Sequence, residues 1–138
     1  MPASVHQARL DNVRMTDRTL EAASRCMFWL LVGVTAWFAW TPAGPDDGGE
    51  AIFLWDKADH FLAFGSLAFW IGQAYRSLPM AQAAAWLAGY GALIEAIQTQ
   101  IPGRFGSLHD WLADGVGIAG GLLAHGLLRR TRSRWRAG

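Results

Sequence analysis

A chain of 138 residues with a net charge of +1 is the size of one domain, and its 52% hydrophobic content coexists with a mean hydropathy of only +0.15. Apolar blocks diluted by polar ends give that combination. Cys26 is the lone cysteine, which excludes an intramolecular disulfide, and no glycine-rich phosphate loop, CxxC pair or HExxH helix occurs.

Residues 1–24 are polar and mixed in charge, which suits a short amphipathic helix or a disordered tail; Met15 is a second candidate start. Cys26 to Trp40 is the first apolar block, extendable through Ala22 to Ser24 and stopped by Thr41-Pro42-Ala43-Gly44-Pro45. Asp46 to Glu50 reads as a solvated loop. The second block runs from Ala58 to Tyr75 with Asp56 as its expected N-cap. Arg76 to Pro79 makes a turn, and the third block runs from Met80 to Ile101, ending at Pro102-Gly103. The fourth starts at Ser107, a second expected N-cap, and continues to Leu128. Each block approaches the roughly 20 apolar residues that a span needs. The expected fold is all-α: a four-helix transmembrane bundle over residues 25–128, with 129–138 as a basic tail.

Four spans place the N-terminal tail, the 76–79 turn and the C-terminal tail on one side. That side holds ten of the twelve basic residues, and all but Lys57 and Arg104 are therefore expected in the cytoplasm, with both termini. Eight of the eleven acids fall on the opposite side. The corresponding location is a membrane crossed several times, with both termini on its cytoplasmic side. A cleaved signal peptide is the competing reading of the first block, but Trp37, Phe38, Trp40 and Pro42 are poor neighbours for a cleavage site. The five arginines between Arg129 and Arg136 anchor this topology and attract anionic lipid; nucleic acid is not an expected partner, since no folded basic module is present.

Ionisable groups cluster at the outer ends of three blocks. Asp56 and His60 lie four apart on one helical face, and Glu95 and Gln98 three apart on another, with Gly91 above them. Asp110, Asp114, Gly117, Gly121 and His125 make one stripe on the fourth helix, fit for packing inside the chain or for a dimer interface. Ion pairs expected on purely structural grounds are Arg104 with Glu95 or Asp110 and Lys57 with Asp59, while Gln98 is suited to a loop carbonyl. Glu95, Asp110 and Asp114 carry more negative charge than one nearby arginine neutralises. They call for shared protons, a cation or a polar ligand. His60 and His109 are the titrating imidazoles at that end, and His125 reads as packed or interfacial.

The runs DKADHFLAFGSLAFW and ALIEAIQTQIPGRFGSLHDWLADGVGIAGG, in this order, resemble the VanZ-like family of small bacterial membrane proteins across residues 55–122. The elements are D-K-x-x-H, E-x-x-Q and P-G-R-x-x-S-x-x-D with a further polar residue four on. The resemblance implies that Asp56, Lys57, His60, Glu95, Gln98, Arg104, Ser107, Asp110 and Asp114 are the characteristic polar positions. Asp114 stands where many members carry Asn, which makes this site one negative charge richer. The family is named for a protein that raises resistance to a glycopeptide; no reaction comes with the resemblance.

Three functions fit these residues. The first is a non-enzymatic envelope protein whose outward pocket binds a lipid headgroup, a wall precursor or a lipophilic glycopeptide, with Lys57 and Arg104 on its anionic groups. The second is a metal-assisted hydrolase or transferase acting on a lipid-linked substrate. There Glu95, Asp110 and Asp114 hold a divalent cation and His60 or His109 is the base. The third is a proton- or ion-coupled carrier using Glu95 and Asp114 as relays.

Overall fold

The computed structural model describes residues 2–41, 50–102 and 106–137. They form four helices, α1 (Pro2–Trp40), α2 (Glu50–Ala74), α3 (Met80–Gln98) and α4 (Leu108–Ala137), with no strand among the described residues. The all-helical expectation of four elements is met. Two of them, over Asp11–Trp40 and Leu108–Trp135, are long and apolar enough to cross a membrane by length and composition. Among the described residues α2 and α3 do not reach that level: Lys57, Asp59 and His60 interrupt one, and Gln82, Glu95 and Gln98 the other.

Several boundaries differ from the sequence reading. The polar N-terminal segment is continuous with the first apolar block in one helix of 39 residues, about 58 Å at 1.5 Å per residue. Pro2 suits a first helical position, and no further proline or glycine interrupts the run before Gly33. α2 begins at Glu50, so Asp56 lies inside a helix and is not its N-cap. The basic segment after Leu128 continues α4 to Ala137. α3 ends at Gln98, where Gln100 N–H reaches Ile97 O (2.9 Å) and Ile101 N–H reaches Gln98 O (3.1 Å) in a tightened last turn before Pro102. Ser107 does cap α4: its Oγ accepts the His109 N–H at 3.2 Å.

Helices consecutive in the chain alternate in direction. α2 and α4 form the most extensive pair and run the same way: Lys57 meets Asp110, His60 meets Asp114, Gly65 meets Gly117 and Gly121, and Gly72 meets His125. α1 and α3 also share a direction. Tyr90 Oη donates to Val32 O at 2.8 Å and Gln98 Nε2 to Ala39 O at 3.2 Å. α1 and α4 stand at opposite corners with α2 and α3 between them. Phe64, Leu67, Leu87 and Ile94 fill the middle.

Glycine sets the α2–α4 distance. A Cβ on Gly117 would run into Phe61 O and lie 3.0 Å from Gly65 N, and one on Gly121 would run into Gly65 O. These are backbone obstacles, which cannot rotate away. The glycine stripe is thus spent inside the chain, on helix packing.

Candidate functional site

The end of the bundle formed by the first turns of α4, the last turns of α3 and the middle of α2 gathers five ionisable side chains. Parallel packing of α2 on α4 brings His60 to Asp114, with Nδ1 2.8 Å from Oδ1. An ionised Asp114 makes Nδ1 the donor and leaves Nε2 as the free lone pair. Three residues earlier on α2, Lys57 Nζ lies 3.5 Å from Asp110 Oδ1. α3 contributes Glu95, whose Oε2 accepts the Ser107 N–H at 2.6 Å while Oε1 lies 3.9 Å from His60 Nδ1. A carboxylate on the first orphan amides of a helix gains from both the hydrogen bond and the dipole.

The cluster is enclosed. Asp114 is 0% exposed, and Glu95, Asp110 and Gln98 are buried as well. Gly91 makes room for Asp114: a Cβ there would sit 2.6 Å from Oδ2. Gly106 closes the α3–α4 connection over the end of α3, where a Cβ would stand 2.5 Å from Glu95 O. Two buried carboxylate oxygens, Glu95 Oε1 and Asp114 Oδ2, make no hydrogen bond. Buried polar atoms are ordinarily paired, so two orphaned acceptors in one cluster mark a place for a cation, a proton or a donor group. One ligating atom from each of His60, Glu95 and Asp110 falls within 4.8 Å of the others. Imidazole with two carboxylates suits a divalent ion with mixed nitrogen and oxygen preference.

Beside the cluster an apolar groove of about 520 Å³ opens between α1, α2 and α3. Its walls include Phe38, Ala63, Phe64 and Ile94, and its polar end carries His60 and Gln98. The groove and the cluster therefore share His60.

Most of the site residues expected from sequence converge. His60, Glu95, Ser107, Asp110, Asp114 and Lys57 meet as described, and Gln98 ties α1 to α3 at the same end. Lys57 reaches Asp110 on α4, not Asp59 on its own helix, because the α2–α4 register sets a long side chain opposite that carboxylate; Asp59 is exposed. His109 is exposed outside the cluster, one position off the Asp110–Asp114 face, so His60 is the imidazole that the described cluster contains. Arg104 lies outside the described residues, as does the side chain of Asp56. Sequence reasoning missed the groove, which no single helix carries, and Gln73, buried near the opposite end of α2. A glutamine inside an apolar run was the available signal for the latter.

No family model matches this chain, and neither a curated protein nor a solved structure does.

Proposed function

We propose that this is a four-span, VanZ-like protein of the bacterial inner membrane, with both termini cytoplasmic, that holds the polar head of an amphiphile in an outward-facing pocket. The distribution of polarity supports the membrane reading. Trp37 and Trp86 are each 72% exposed, and Phe38, Leu62, Val116 and Leu123 are also exposed, while Glu95, Asp110, Asp114 and His125 are buried. A water-soluble bundle has the reverse arrangement. The observation that carries the binding reading is the junction at His60. A buried acid-imidazole cluster with two unpaired oxygens shares His60 with the wall of an apolar groove between three helices. An acyl or prenyl tail fits the groove, and hydroxyl, amide or ammonium donors of a headgroup fit Glu95 Oε1 and Asp114 Oδ2. Lipid headgroups, lipid-linked wall precursors and lipophilic glycopeptides share that chemistry.

A second reading is favoured by the 4.8 Å grouping of His60, Glu95 and Asp110. In it these residues hold a divalent cation that polarises a phosphoryl or acyl group of the lipid-linked ligand, making the protein a hydrolase or transferase. Thermal unfolding of purified protein in a neutral detergent, wild type beside Glu95→Gln and Asp110→Asn, tests both. Amphiphiles that stabilise the wild type alone support the pocket. Stabilisation by a divalent ion alone, lost in both variants, supports the metal-assisted enzyme. If no ligand shifts the wild type and both variants melt lower, the cluster is a structural fastening.

A further inference from the structure

The opposite end of the bundle carries a second polar centre that the pocket above does not use. His125, Arg129 and Arg132 lie at spacings of four and three on one face of α4. Arg76, directly after α2, lines the same cavity of about 470 Å³, together with Asp17 of α1 and Gln73 of α2. His125 is 5% exposed, and its Nδ1 is a buried atom with no hydrogen-bond partner. Its ring is held by Gly72, where a Cβ would stand 2.6 Å from the imidazole Cγ.

Three guanidiniums therefore line one cavity, and Asp17 is the one carboxylate among its described lining residues. Arg76 Nη1 lies 3.5 Å from Asp17 Oδ1, and Arg132 Nη1 lies 3.5 Å from Gln73 Oε1. Both contacts are long, and each guanidinium has five N–H donors, so these two contacts leave donor capacity among the residues that line the cavity. Three exposed cations lining one cavity attract an anion. Arginine forks match phosphate oxygens in pairs, and His125 lines the same cavity beside them.

We propose that this cavity is an anion site for a phosphate group, with His125 as its floor and Arg76, Arg129 and Arg132 as its clamp. The site does not depend on the function assigned to the acidic end. Phosphate reaches it either as the headgroup of an anionic phospholipid or as a soluble phosphate, and the two sources are separable.

The test uses the full chain in neutral detergent. Inorganic phosphate is titrated in one arm and short-chain phosphatidylglycerol in the other, with thermal unfolding and native mass spectrometry of bound lipid as readouts. The decisive comparison matches charge: Arg129→Gln/Arg132→Gln removes two cations from the cavity, and Arg130→Gln/Arg134→Gln removes two from elsewhere on the same helix. Binding is expected to weaken about tenfold or more in the first and less than about twofold in the second, as loss of paired guanidinium–phosphate contacts requires. Stabilisation by phosphatidylglycerol alone assigns the site to lipid; stabilisation by inorganic phosphate assigns it to a soluble anion. Equal weakening in both double variants would mean diffuse attraction by the helix end and would overturn the site, as would the absence of any response from wild type. His125→Asn is expected to weaken binding while Glu95→Gln leaves it unchanged. A His125 Nδ1 satisfied only by a water in the adjoining cavity of about 20 Å³ would make His125→Asn neutral, contrary to the proposal.

Discussion

The two ends of the bundle handle charge in opposite ways. At one end Glu95, Asp110 and Asp114 are drawn inside, where they depend on a lysine, a histidine and a backbone amide from neighbouring helices. At the other, Arg76, Arg129 and Arg132 stay exposed around a single buried imidazole. Side-chain length explains the contrast. A carboxylate on a one- or two-carbon stem follows its backbone into the interior, whereas an arginine bridges several ångströms and keeps its charge at the rim. The acidic end thus buries its carboxylates, and the arginine end keeps its cations at the surface.

The contrast is broken most severely by removing the contact on which both ends depend. Gly121→Leu forces a side chain into Gly65 O, and a loss of about 3 kcal/mol is expected, the upper range for overpacking, with ligand responses lost at both ends. Unfolding in detergent measures it. Asp114→Ala acts at the acidic end alone. It strips His60 of its 2.8 Å partner, costs about 2 kcal/mol, and should leave phosphate binding at the arginine end unchanged. Tyr90→Phe lies between the two ends and removes the hydroxyl that donates to Val32 O, so about 1 kcal/mol is expected, with neither ligand response altered. Glu95→Gln has the smallest stability effect, under about 0.5 kcal/mol, because an amide oxygen still accepts the Ser107 N–H. Its consequence is chemical: stabilisation by divalent ions or headgroups should vanish without a lower melting temperature. A large drop in melting temperature for this variant would instead make Glu95 a structural fastener.

What was legible in the sequence followed from periodicity. The Asp110–Asp114–Gly117–Gly121–His125 stripe could be read because one helix fixes its own spacing, and the fourth helix's cap could be read because Ser107 precedes an apolar run. Interhelical register is not a property of one segment, so the partner of Lys57 was misjudged in favour of a residue two positions away. The N-terminal segment was ambiguous for a different reason. Its polar residues carry no strong apolar face, and helix continuity there comes from being propagated out of an apolar helix rather than from local signals. The arginines past Leu128 were legible as charge but not as a cavity, since Arg76, Gln73 and Asp17 arrive from other helices.

The backbone contact between Gly65, Gly117 and Gly121 has a mechanical consequence. Main chain pressed on main chain has no rotamers with which to absorb a shift, so α2 and α4 move as a single plate. α1 and α3 are joined to each other by Tyr90–Val32 and Gln98–Ala39, and they lean on the plate through side chains. Each of the two packs more extensively on the plate than on the other, so any opening of the bundle moves α1 or α3 against a rigid partner. Among the contacts that hold them there are the hydrogen bonds from Ser107 N–H to Glu95 Oε2, from Trp111 Nε1 to Ala88 O and from Arg25 Nε to Ala74 O, so displacing either helix breaks its own set of latches.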